Sequence, residues 1–310
     1  MLRLALLSTV LSGCFVGFDA SDDFDPENPG PEIPGDDDVL PPGKAAFVLA
    51  HGFGGDRESF DPAIVAAIEA DGHVVLRSEV PGIESVAVRA AALGAEIDGL
   101  ITRSGATSVH VIAHSMGGLD ARYAISRLGY APKVASLTTV STPHLGTPLA
   151  DLALGITTST TVSQEDALEA IAELLGMPVD FEALERALHD LAETHAPAFN
   201  AATPDAPGVA YLSYAGFSTP NAIDNPNAAA ACGAALVAPD STQAALLLAA
   251  PIVARGTERK PNDGVVSVAS ATWTGFAGCV PADHLDETAV PTEAFDTAAF
   301  YKALAAKLAP

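Results

Sequence analysis

Three residue types in one chain order carry the chemistry here: Ser115, then Asp263, then His284. A serine hydroxyl is a weak nucleophile at neutral pH. It needs a base within hydrogen-bonding reach and a carboxylate that orients the base and stabilises its cation. Ser115 lies in Ala113-His114-Ser115-Met116-Gly117-Gly118. An apolar, β-branched run, Ser108 to Ile112, precedes it, and a helical pattern, Leu119 to Ile125, follows. Strand, tight small-residue turn and helix form a nucleophile elbow, which strains the serine backbone and projects its hydroxyl. Small residues are needed two places before and after the serine, and Ala113 and Gly117 meet that need. A helix beginning at Met116 turns its N–H groups toward an oxyanion formed at Ser115. A second oxyanion donor is expected from His51-Gly52-Phe53-Gly54-Gly55, where glycines follow a strand, and is assigned to the Phe53 N–H.

The elements that must position these residues alternate. Ala45 to Ala50, His73 to Leu76, Ser108 to Ala113, Val134 to Val140 and Tyr211 to Gly216 read as short buried strands. Helical patterns lie between them, one with apolar Ile64, Val65 and Ile68 and one over Val86 to Ile101. This predicts an α/β fold with a mostly parallel sheet covered on both faces. The order Ser…Asp…His is that of the α/β-hydrolase fold. After the fourth strand, His144 follows the serine too closely to serve as its base and reads as a structural loop histidine. An insertion over about 149–200 carries two amphipathic helical patterns. One starts at Ser163 with Asp166 in a capping-box position and repeats Leu168, Ile171 and Leu175; the other repeats Leu184, Leu188 and Leu191. Packing helices and a mobile lid over the site both fit this pattern. His189 and His195 within it are expected to face solvent. Further on, Asp240 is expected to open a helix-like run, Gln243 to Ala250. Pro261 to Ser267 reads as a turn into a short strand, His284 sits on a loop, and a helix over Thr297 to Leu308 closes the chain.

The 310 residues and 49% hydrophobic content suffice for one large core. Lys and Arg total 15 against 39 Asp and Glu, a formal charge of −24. Such a chain has no electrostatic footprint for nucleic acid and is repelled by anionic membrane surfaces. At the N-terminus, Met1-Leu2-Arg3 precedes an apolar run, Leu4 to Leu11, too short to span a bilayer. It ends in Leu11-Ser12-Gly13-Cys14, which resembles a lipobox whose Cys14 becomes a lipidated N-terminus and membrane anchor. An ordinary export signal also fits the run. Phe15 to Gly43 holds no Lys or Arg and is rich in Asp, Glu, Pro and Gly, the composition of an extended tether of at most about 100 Å. The expected organisation is a signal over 1–13, the lipidated cysteine and linker over 14–43, and a catalytic domain over 44–310. With Cys14 lipidated, Cys232 and Cys279 remain as a pair that either forms a disulfide in an oxidising compartment or stays as buried thiols.

Taken together, His51 to Gly55, Ala113 to Gly118, Ser141-Thr142-Pro143-His144-Leu145-Gly146, Asn262-Asp263-Gly264 and His284-Leu285-Asp286-Glu287 resemble the bacterial true lipases of the Pseudomonas and Burkholderia type. The resemblance runs from about Ala45 to Glu287. It implies secreted triacylglycerol hydrolysis, a helical lid, a folding chaperone in some members, and a structural calcium ion held by two aspartates and two backbone carbonyls. Those positions correspond to Asp286, two residues after the histidine, to Asp240, and to the carbonyls near Val290 and Ala294. Oxygen ligands suit such a hard cation. The sequence departs from the family in several places. Ala113 replaces the glycine before the elbow, and Ala269 stands where disulfide-bearing members place a cysteine. The acidic tether and lipid anchor are also not typical.

The sequence therefore predicts an exported serine hydrolase of lipid esters, foremost a triacylglycerol lipase, located at the outer membrane or cell surface or secreted. A short-chain carboxylesterase, a polyester depolymerase and an acyltransferase use the same triad and stay open. A non-catalytic surface lipoprotein binding hydrophobic ligands is a further alternative, against which the complete Ser115, Asp263 and His284 set argues.

Overall fold

The computed structural model describes residues 41 and 44–310, apart from 157–162, 165–166, 169–170, 172–179, 223, 234–237 and 290. The leader, Cys14 and the acidic tether lie outside these residues. Six strands form one sheet: β1 (Ala46–Ala50), β2 (Val74–Arg77), β3 (Val109–His114), β4 (Val134–Val140), β5 (Ala210–Gly216) and β6 (Phe276–Val280). Their order is β2-β1-β3-β4-β5-β6 and every pairing is parallel.

The continuous apolar character of β1 follows from burial on both faces. Ala46, Val48 and Ala50 pack with Val109, Val111 and Ala113 of β3 on one side. Phe47 and Leu49 pack on the other, with Ile112. Two helices cover the first face: α2 (Val86–Ser104), through Leu93, Ile97 and Leu100, and α3 (Gly117–Arg127), through Ala121 and Ile125. The second face is covered by α1 (Pro62–Glu69), through Ile64 and Ile68, and by α7 (Thr297–Leu308), through Tyr301 and Leu304. Asp61 caps α1 ahead of Pro62, and Asp296 caps α7 through the Ala299 N–H. Gly105, at φ 71°, ends α2 in the left-handed conformation that suits glycine.

The insertion folds over the C-terminal edge of the strands as α4 (Pro148–Ala153), α5 (Phe181–Leu191) and α6 (Ala196–Ala202). Leu184, Leu188 and Leu191 of α5 are buried, as their spacing predicts, in a separate apolar cluster with Met116, Leu149 and Ile171. In the preceding stretch, Ala167 and Ile171 are buried but Leu168 is 42% exposed. The stripe therefore runs through positions 167 and 171, four apart, rather than through Leu168. Asp166 and Leu175 lie outside the described residues.

Other expectations change as well. Asp240 opens no helix; it sits on a two-residue strand, Asp240–Ser241, paired with Ser218–Thr219. The run after it breaks into a 3-10 turn, Ala244–Leu246, and a short helix, Ala249–Val253. The segment after Asp263 enters a short helix, Val268–Ala271, instead of a strand. β6 is an element the sequence reading did not place. Cys232 and Cys279 are disulfide-bonded, joining the helix Ala228–Cys232 to β6.

Candidate active site

The elbow is built by contacts that leave no room for larger residues. Ser115, between β3 and α3, takes φ 54°, a left-handed conformation that costs a non-glycine residue about 1–3 kcal/mol. Tertiary contacts hold it there. Its N–H donates to the Val140 carbonyl at 2.9 Å. A Cβ on Gly117 would fall 2.5 Å from the Ala50 carbonyl oxygen, and one on Gly52 would fall 2.5 Å from Ser115 Cβ. The strand-end loop of β1 and the elbow are thus pressed together, and only glycines permit it.

The structure brings Ser115, His284 and Asp263 into one chain of hydrogen bonds. His284 Nε2 lies 2.9 Å from Ser115 Oγ, and His284 Nδ1 lies 2.8 Å from Asp263 Oδ2. Asp263 has no exposed surface. Its other oxygen accepts from the N–H groups of Val265 and Val266 at 2.8 and 2.7 Å. With Nδ1–H donated to the Asp263 carboxylate, Nε2 is left to accept from the serine hydroxyl, the arrangement a catalytic serine requires. The His284 backbone N–H also donates to the Asp263 carbonyl at 2.9 Å, which locks the base to the acid.

The N–H groups of Phe53 and Met116 have no acceptor among the described residues. Unpaired donors beside Ser115 are available to a developing oxyanion. The Phe53 loop is held by a residue that sequence reasoning missed. Arg89, fully buried on α2, donates to the carbonyls of Pro81, Gly82, His51 and Gly52 and pairs with Asp120 of α3 at 2.8 Å. Burial raises the Asp120 carboxyl to about 7 in spite of Arg89, whose charge pulls the other way. In sequence, Arg89 reads as one polar position in an amphipathic helix.

Behind the histidine, Glu287 is fully buried, with Oε1 2.5 Å from Ser141 Oγ and Oε2 3.0 Å from His114 Nε2. Burial, then the charge of Asp263, pushes the Glu287 carboxyl well above the carboxylate range. Burial, then His284, pushes His114 well below the usual histidine range. Both directions favour neutral groups. His144 is buried too. It stacks on Trp273, contacts Thr139 and Arg122, and forms no bond with Ser115, so its structural reading holds. His189 is exposed as expected, but His195 is only 26% exposed because it precedes α6 and faces Asp190.

Of the expected calcium ligands, Asp240 and Asp286 come close enough to influence each other. Burial, then the charges of Asp283 and Asp240, lifts the Asp286 carboxyl to about 7. Gln243 donates to both Asp283 and Asp286. Ala294 lies in the Thr292–Phe295 turn, and Thr292 Oγ1 is 3.5 Å from Asp240 Oδ2. Val290 lies outside the described residues. Among the described residues no Lys or Arg forms an ion pair with Asp240, Asp283 or Asp286. Uncompensated carboxylates of this kind fit a hard cation.

The triad opens into a cavity of about 280 Å³. Phe53, Val266 and Leu285 line it together with Ile171, Leu188 and Leu191 of the insertion. Ser115 is 6% exposed. The geometry can deprotonate a hydroxyl, hold an oxyanion and shelter an apolar acyl chain.

Similarities to known proteins agree with this architecture. Residues 95–166 match the family described as the PGAP1-like alpha/beta domain. The chain is 30% identical over 227 residues to triacylglycerol lipase 2 of Saccharomyces cerevisiae, covering 71% of this chain and 59% of that protein. It is 34% identical over 127 residues to a triacylglycerol lipase of Vibrio cholerae, covering 39% of this chain and 40% of that one. The chain thus spans roughly half the length of these relatives. The crystal structure of the Bacillus licheniformis lipase BlEst2 superposes with a TM-score of 0.63 at 19% identity, over 87% of this chain and 94% of that one. The fold is that of the α/β-hydrolases.

Proposed function

We propose that this chain is a serine hydrolase of carboxylic esters in lipids, acting as a triacylglycerol lipase. The observation that carries the reading is the Ser115–His284–Asp263 chain opening into a largely apolar cavity lined in part by α5 of the insertion. In this mechanism His284 Nε2 takes the Ser115 proton as Oγ attacks the ester carbonyl. The oxyanion forms between the Phe53 and Met116 N–H groups, each typically worth about 10²–10³ in rate. His284 then protonates the leaving glycerol oxygen. Water, activated by the same histidine, releases the fatty acid from the acyl-enzyme. Asp263 fixes the tautomer and stabilises the imidazolium throughout.

The test is initial hydrolysis rates on emulsified glycerol esters of increasing acyl length, with Ser115→Ala in parallel. Rates that rise with chain length and vanish in Ser115→Ala support a lipase. Activity confined to short soluble esters supports the carboxylesterase reading instead. Equal rates in wild type and Ser115→Ala overturn the mechanism. In the lipase reading the insertion is a lid, with Leu188 and Leu191 turned to the cavity when closed and to lipid when open.

Three further parts of the reading rest on the resemblance to Pseudomonas and Burkholderia lipases and on the leader. Asp240 and Asp286, with the carbonyls of Val290 and Ala294, hold a calcium ion that braces the His284 loop. Cys14 carries a lipid anchor and the chain is exported to an outer or surface location. Detergent-phase partitioning of wild type against Cys14→Ala tests the anchor. Co-expression with and without a lipase-type folding chaperone tests whether one is needed.

A further inference from the structure

We propose a second metal site, on the outer side of the insertion, formed by His189, Asp190 and His195 and selective for a late divalent transition metal such as zinc. One nitrogen of each histidine and one carboxylate oxygen of Asp190 all lie within 4.8 Å of one another. His189 Nδ1 is 3.9 Å and His195 Nε2 is 3.6 Å from the same oxygen, Asp190 Oδ1. These separations are too long for hydrogen bonds. They are close to the spacing of ligands on a tetrahedral zinc ion, about 3.3 Å for bonds of about 2.0–2.1 Å.

The three residues are arranged by the fold. His189 and Asp190 lie in the last turn of α5, and His195 is the residue before α6, so the bend between the two helices brings the three together. The histidine ring centroids are 4.5 Å apart and tilted by 56°, an approach that a shared cation would reward. Asp190 is anchored from behind. Its second oxygen accepts from the Val86 N–H, at the start of α2, at 2.7 Å, which leaves Oδ1 facing the histidines. This is the second-shell bond that fixes a ligating carboxylate. Arg186, one turn earlier on α5, is paired with Glu84 and does not neutralise Asp190. His189 is 61% exposed, so water can complete the shell and the ion can enter from solvent. Two imidazoles and one carboxylate suit zinc over calcium, which separates this site from the Asp240–Asp286 cluster. A bound ion would join α5 to α6 and, through Asp190, to α2.

The experiment is calorimetric titration of Zn²⁺ into the full-length chain, with saturating Ca²⁺ in the buffer to occupy the carboxylate cluster. His189→Ala, His195→Ala and Asp190→Asn are titrated in parallel, and thermal unfolding is followed with and without Zn²⁺. The expected result is one zinc ion per chain, an upward Tm shift in wild type, and affinity at least about tenfold weaker in each histidine variant. Asp190→Asn keeps an oxygen acceptor for the Val86 N–H, so its weakened binding reports ligation and not unfolding. No zinc binding by wild type, or equal binding and Tm shift in His189→Ala and His195→Ala, overturns the proposal.

Discussion

Arg89 and Asp120 form a buried ion pair at 2.8 Å that joins the helix after the nucleophile to the loop carrying Phe53, because the same guanidinium also holds the His51 and Gly52 carbonyls. The pair sets where one oxyanion donor stands relative to the other. Arg89→Met is expected to destabilise the chain by about 3–5 kcal/mol, since it leaves Asp120 buried without a partner. Arg89→Met combined with Asp120→Leu should recover much of the Tm. It should not recover kcat, because the four carbonyls stay unheld. Urea unfolding and ester hydrolysis on the same samples read the two effects separately.

Gly52→Ala places a Cβ 2.5 Å from Ser115 Cβ. Something must shift, and the elbow is the more constrained partner. The expected outcome is a loss of roughly 10² or more in kcat, the value of a displaced oxyanion donor. Labelling of Ser115 by a fluorophosphonate should slow in parallel, and far-UV circular dichroism should stay native.

Asp263→Asn keeps the size of the acid but inverts what its side chain can offer to His284 Nδ1. The wrong imidazole tautomer then faces Ser115. A fall of about 10⁴ in kcat is expected, with KM little changed. Ser115→Ala should fall at least as far, and combining the two should add little, since they act as a unit.

Calcium removal tests the carboxylate cluster. With the proposed ion bound, a chelator should lower the Tm and slow hydrolysis, because removing it leaves Asp240 and Asp286 beside Asp283 uncompensated. Asp240→Asn should show a smaller response to the chelator than wild type. An identical response in the two proteins would place the ion elsewhere.

Reducing Cys232–Cys279 opens a loop of sequence separation 47. Chain-entropy arguments give such a closure on the order of 4 kcal/mol. Cys232→Ser/Cys279→Ser should therefore unfold at lower urea, and its activity should fall before its secondary structure does. The loop encloses Asp240 and Asp263, so the acid arm is what loosens first.

The triad was legible in sequence because each of its members sits in a short turn of small or polar residues whose local chemistry has few alternatives. The parallel sheet was legible through runs such as Ala46–Ala50, buried on both faces. What escaped depends on distant partners. β6 contains Gly278 and a cysteine, and it becomes a strand by pairing with β5. Asp240 was expected at a helix start, but pairing with Ser218 draws it into a strand. Arg89 reveals its role only where Pro81, Gly82, His51 and Gly52 turn their carbonyls toward it. Such convergence leaves no mark on a single sequence.

The parallel sheet also acts as a ruler. Ser115 leaves β3, and His284 follows β6, three strand spacings away, about 14 Å at the usual interval. β4 and β5 fill that gap, yet none of the triad residues lies on them. Their twist and width set how far the histidine loop must reach back to the serine. A bulkier residue at Thr138 or Ser213, both fully buried on these two strands, would press on the layer covering the sheet and alter its twist without touching the triad. Tolerance to substitution in the middle of the sheet is therefore governed by tenths of an ångström at a bond formed beyond its edge.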